Sequence, residues 1–90
     1  MISVRVPTQL RTLTGGAGEV TVEGSTVGEA LKALDGAHRG FAERLFDESG
    51  ELRRFVNVFL DDEDVRFLDG LSTPLREGQT ISIVPAVAGG

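Results

Sequence analysis

From Ile2 to Val6 the chain alternates apolar and polar residues, with Ile2, Val4 and Val6 on one side and Ser3 and Arg5 on the other. A period of two marks a strand with one buried face, and Pro7, which has no N–H to donate, ends it. The alternation returns at Val20 and Val22 within residues 19–23, which predicts the second strand of a hairpin, broken by Gly24-Ser25. Residues 8–18 between them read as a connector, with Leu10 and Leu13 as anchors and Gly15-Gly16 as a turn.

The period then changes. Val27, Ala30, Leu31 and Leu34 fall on one face of a helix. Thr26 and Glu29 have the spacing of a capping box at its start, and Asp35-Gly36 is the expected stop. Phe41, Leu45 and Phe46 predict a shorter helical stretch, followed by a polar loop over 47–51. Residues 54–60 read as a strand with Val56, Val58 and Leu60 on one face and Phe55, Asn57 and Phe59 on the other. A turn over 61–64 follows, then a short strand at Val65-Arg66-Phe67, a turn at Asp69-Gly70, and a tight turn or single helical turn over 74–78. The last strand spans 80–84, with Ile81 and Ile83 facing the core and Pro85 ending the pairing. This order predicts a small α+β roll, a mixed sheet with one main helix across one face and its first and last strands parallel. Residues 1–85 are expected to form the single domain and residues 86–90 a flexible tail.

Composition narrows the chemistry. Ninety residues with 40% hydrophobic and 26% charged positions suit one soluble globular domain, whose core must come from Val, Leu, Ile and Phe because Trp and Tyr are absent. A net charge of −5 argues against nucleic acid and favours encounters with basic protein surfaces. Without cysteine there are no disulfides, thiolate metal sites or cysteine nucleophile, which fits a cytoplasmic protein. No apolar run approaches the ~20 residues of a membrane helix, and Met1 leads into a strand pattern rather than a signal peptide. Asp61, Asp62, Glu63 and Asp64 lack the alternate spacing and central glycine of a calcium loop and read as a solvated turn. His38 reads as a surface histidine, Lys32 as a solvent-facing helix residue, and Arg53-Arg54 as too small a cluster for nucleic acid. Gly15-Gly16-Ala17-Gly18 lacks the Lys-Ser/Thr of a phosphate loop.

The remaining candidate is the end itself. Gly89-Gly90 follows Val87-Ala88 directly after the strand-like run, and two residues without Cβ make a thin end able to enter a narrow active site. The α-carboxylate of Gly90 is therefore the expected working group. Phe55, Phe59 and Val84 are left on the face opposite the core and are the candidate docking surface. The competing expectation is that the 37–47 segment covers Phe55 or Phe59.

The element order, the run from Phe55 through Asp61-Asp62-Glu63-Asp64-Val65-Arg66-Phe67, residues 71–78, and the ending Ile81-Ser82-Ile83-Val84-Pro85-Ala86-Val87-Ala88-Gly89-Gly90 resemble the ubiquitin-like sulfur carriers of the MoaD/ThiS family, in particular their cysteine-biosynthetic branch. The resemblance covers nearly the whole chain and implies a ubiquitin-like β-grasp roll. It implies a protein cosubstrate rather than an enzyme, with no bound cofactor or metal. An E1-like adenylating/sulfurtransferase enzyme would use ATP to activate Gly90, with Gly89, Ala88 and Val87 threading its channel, and sulfur would then replace one carboxylate oxygen. Further implied partners are a pyridoxal-phosphate (PLP)-dependent cysteine synthase and a zinc metalloprotease of the JAMM type, with the free carrier monomeric. The same resemblance leaves open a small subunit of molybdopterin synthase, a sulfur donor for thiosugars and other secondary metabolites, and a modifier conjugated to lysines.

Overall fold

A computed structural model describes residues 1–85. The predicted tail, residues 86–90, lies outside the described residues. The strands are β1 (Ile2–Arg5), β2 (Glu19–Val22), β3 (Val56–Leu60), β4 (Glu63–Asp64) and β5 (Thr80–Pro85), and the helices are α1 (Val27–Ala37) and α2 (Phe41–Leu45). The sheet order is β2-β1-β5-β3-β4. β1 and β5 run parallel, with Ser3 opposite Thr80 and Val4 opposite Ile81, and the other neighbours are antiparallel. The two-residue period puts Ile2, Val4, Val22, Val56, Val58, Leu60, Ile81 and Ile83 on one buried face. Val27, Ala30, Leu31 and Leu34 of α1 join them in one core with Phe41 and Leu45 of α2. The α+β roll with its single main helix is as the periodicity predicts.

Departures from the sequence reading are local and have local causes. Thr26 caps α1 as expected, its Oγ1 accepting from the Glu29 N–H at 3.2 Å. The return bond of Glu29 reaches the Ser25 N–H at 2.9 Å rather than that of Thr26. The next orphan donor, the Val27 N–H, bonds to the Thr73 carbonyl at 3.0 Å and ties the helix start to the segment before β5. Helix α1 does not stop at Asp35-Gly36. It continues to Ala37, with the His38 N–H donating to Leu34. Asp35 serves the next helix instead: its Oδ1 accepts from the N–H groups of Gly40 at 3.2 Å and Ala42 at 2.9 Å. The residue at the N-cap position of α2 is Gly40, which has no side chain to do this, and its φ of 112° suits glycine.

The connector over 8–18 contains a 3₁₀ helix, Thr8–Thr14, that buries Leu10 and packs Leu13 against the core. Strand β3 begins at Val56, two residues later than expected, because the Val56 N–H closes a turn onto the Arg53 carbonyl at 3.0 Å. Val65-Arg66-Phe67 is not a strand. The short strand is Glu63–Asp64, and residues 65–67 form a 3₁₀ turn whose Arg66 N–H is capped by Asp64 Oδ1 at 2.8 Å. The turn carries Val65 into the core, which ends β4 after two residues. Residues 74–78 are a tight turn, not a helix. Pro85 is itself paired, opposite Val56, so β5 runs one residue beyond the expected 80–84.

Two substitutions test this packing. A Cβ at Gly24 would sit 2.6 Å from the backbone nitrogen of Ala30, so Gly24→Ala is expected to lower stability by about 1–3 kcal/mol in urea unfolding, as overpacking does. Asp35→Ala is expected to cost about 1 kcal/mol by the same measurement, with Asp35→Asn milder because it keeps an acceptor for α2.

Candidate functional site

The sheet face away from α1 carries the residues that the core alternation leaves over. Asn57 of β3 pairs with Val84 of β5, and Phe59 pairs with Ser82 on one side and Asp64 on the other. Phe55 lies in the turn before β3, so it approaches this face from the strand's start rather than from the ladder. Phe55 is 55% and Val84 45% exposed, while Phe59 is half-buried. Phe55 is exposed although Arg44 and Asp47 of the 37–47 segment line one groove with it, and the large side chains Phe41 and Leu45 of that segment are buried in the core. Phe59 and Val84 share the sheet face away from the core, and Phe55 lies in the turn at its edge.

Between them lies a polar bridge that the sequence did not reveal. Arg66 donates to Asn57 Oδ1 at 3.0 Å and, from one terminal nitrogen, to the carbonyls of Arg53 and Val56, both at 2.8 Å. One guanidinium therefore pins the turn that presents Phe55. The following residue, Phe67, is 86% exposed. Reading 65–67 as a strand hid this. On a 3₁₀ turn Val65 points in and Phe67 out, and the only sequence signal was an Asp able to cap such a turn.

Pro85, opposite Val56 and in step with the core-facing Ile81 and Ile83, ends β5 beside the Phe55 turn. Beside it is an open groove of ≈ 460 Å³ lined by Arg44, Asp47, Arg53, Arg54, Phe55 and Pro85 among others. Val87, Ala88, Gly89 and Gly90 lie outside the described residues. The carboxylate of Asp47 is held below its usual pKa, chiefly by the Ser49 hydroxyl and then by the Glu51 amide, so it is ionised near neutral pH.

The other sequence candidates take structural or solvent roles. Asp61, at a φ of 55°, accepts from the Thr80 N–H and the Gln79 side-chain amide at 3.2 Å each, while its own N–H donates to the Thr80 carbonyl at 2.8 Å. It staples the end of β3 to the start of β5. Among the described residues no group of His, Asp and Glu is placed to hold a metal ion. His38 is half-buried at the end of α1, Lys32 is exposed on that helix, and Gly15 and Gly16 make a left-handed turn. No helix among the described residues is long and apolar enough to cross a membrane. The arrangement of residues 1–85 is suited to docking a protein and holding the start of an end segment beside the contact.

Known proteins agree with this reading of the fold. Residues 4–90 match the ThiS family. The sulfur carrier protein CysO of Mycobacterium tuberculosis (strain H37Rv) is 46% identical over a 91-residue alignment that covers 99% of this chain and 98% of the relative. A solved complex of BexX and CysO from Amycolatopsis orientalis contains a chain that matches with a TM-score of 0.93 and 46% identity, covering 100% of both chains. SAMP1 of Haloferax volcanii, a small archaeal modifier, matches with a TM-score of 0.79 and 32% identity, covering 99% of this chain and 98% of its own. With fold and family pattern shared along nearly its full length, the chain belongs to the ThiS family of ubiquitin-like sulfur carriers.

Proposed function

We propose that this carrier works through the α-carboxylate of Gly90, which becomes a thiocarboxylate that donates sulfur, with cysteine as the final product. A carboxylate resists attack because its two oxygens share the negative charge. Transfer of AMP from ATP gives an acyl-adenylate and pyrophosphate. Hydrosulfide, as the sulfur donor, then attacks the carbonyl carbon; the C–S bond forms as the C–O bond to AMP breaks, AMP leaves, and loss of the S–H proton gives the thiocarboxylate on Gly90. The activating partner is an E1-like enzyme that supplies the ATP site. The recipient is a PLP-dependent synthase that adds the sulfur to an activated serine, and a zinc metalloprotease of the JAMM type releases cysteine from the tail. The setting is the cytoplasm.

The observation that carries this reading is the family match itself, which runs through Gly89-Gly90 to residue 90. The described geometry supports it. β5 brings the chain to Pro85 beside Phe55 and Val84, so the surface that binds a partner and the segment that enters it begin at one place. The relative solved with BexX supports a protein partner of this kind.

Similarity to small archaeal modifiers favours one second reading, conjugation of Gly90 to lysines of other proteins. Mass spectrometry of the protein from its native cell separates the two. Free carrier with one oxygen replaced by sulfur supports the first, and a ladder of larger conjugates supports the second.

Removal of Gly90 is expected to abolish thiocarboxylate formation while leaving the melting temperature unchanged, because the buried core among the described residues lies within residues 2–83. Normal loading of the truncated chain would defeat the proposal. Gly89→Val is expected to suppress ATP–pyrophosphate exchange with the activating enzyme, since a β-branched side chain adds bulk where the end must thread a channel. Phe55→Ser combined with Phe59→Ser is expected to weaken binding to that enzyme roughly thirtyfold, the loss of about 2 kcal/mol at an aromatic anchor. Circular dichroism would establish that the variant remains folded.

A further inference from the structure

We infer that the groove where the chain leaves β5 docks an acidic protein surface, the one bordering the channel that receives Gly89-Gly90. The inference rests on the carrier reading and names the chemistry of the partner at that contact. Arg44, Arg53 and Arg54 line the groove, and Asp47 is the single acid among its lining residues. Arg66 adds a fourth guanidinium, bonded to the main chain of residues 53 and 56. Three of the chain's nine basic residues therefore line the groove beside Pro85, and Arg66 braces the turn next to it. All four are exposed.

Arg53 acts on Asp47 through charge, and Arg66 shares a neighbouring hollow with Glu51 and Asp69, but none of the four arginines is in a close ion pair among the described residues. Among the described residues the ion pairs are Met1 with Glu77 and Arg5 with Glu19, and none involves this cluster. Asp47 already accepts from Ser49 and Glu51. Glu43 and Glu48 line a neighbouring hollow with Arg44 and Arg53 and do not line the groove itself, whose charged lining is three arginines and one acid. Arginine's planar fork suits carboxylates, which it grips with two parallel hydrogen bonds.

The overall charge of −5 does not oppose this. Asp61, Asp62 and Glu63 sit beyond the far end of β3. Five residues at ~3.3 Å each place them roughly 17 Å away. That is about twice the ~8 Å Debye length at physiological salt. A surface touching the groove responds to the nearby arginines, while the distant acids are screened. The whole-chain composition points to basic partners, and at the end that meets the receiving enzyme the sign is reversed.

The test is ATP–pyrophosphate exchange by the cognate E1-like enzyme with Arg44→Glu/Arg54→Glu, two exposed positions whose side chains make no hydrogen bond among the described residues. The expected result is a KM for the carrier raised about tenfold at low salt, with kcat unchanged and the gap narrowing as salt rises. Arg76→Glu, on the turn before β5, should leave that KM within about twofold. An unchanged KM in the double variant, with the unaltered chain turned over normally, would overturn the inference alone. A raised KM for ATP instead would show that the arginines face nucleotide phosphates and would also overturn it. No exchange with the unaltered chain would overturn the carrier reading and this inference together. Should circular dichroism find the reversal variant unfolded, Arg44→Gln/Arg54→Gln, which removes charge at similar size, gives the same decision.

Discussion

The structure depends on the parallel pairing of β1 with β5. That pairing seats the last strand in the middle of the sheet, with β1 on one side and β3 on the other. A central strand must satisfy both edges with backbone hydrogen bonds and bury one face, which β5 does with Ile81 and Ile83. Its other face carries Val84, and its end carries Pro85 beside the Phe55 turn. The position of Pro85 relative to the Phe55 turn is thus set by the strand pairing in the sheet.

Much of this was legible in the sequence because each strand has one buried face and α1 has one buried stripe. Ile2 and Val4, Val56 to Leu60, and Ile81 and Ile83 announce themselves by alternation, and Val27 to Leu34 by helical spacing. The misreadings fall where a residue works for an element other than its own. Asp35 looks like a helix stop and is the cap of the following helix. Val65 to Phe67 looks like a strand because two apolar residues flank a charged one. Burial of Val65 is satisfied equally by a turn, and Asp64 supplies the bond that favours it.

The candidate site divides along the same line. Phe55, Phe59 and Val84 follow from the strand pattern, with Phe59 less exposed because it has neighbours on both sides in the sheet. The arginine groove does not follow, since its arginines come from α2 and the turn before β3. Local charge at a contact is a property of the fold, and a chain-wide sum averages it away.

The central place of β5 also bears on how a nascent chain becomes a carrier. Until residues 80–85 are made, β1 and β3 have no common neighbour and the main buried face is open along its middle. Pairing Ser3 with Thr80 joins segments at opposite ends of the chain, a long-range contact of the kind that forms late and cooperatively. A ribosomal product cut short before this strand lacks the element that closes the sheet, and its exposed apolar edges mark it for removal. Completion of the fold and synthesis of the strand leading toward Gly89-Gly90 are thereby tied to one event.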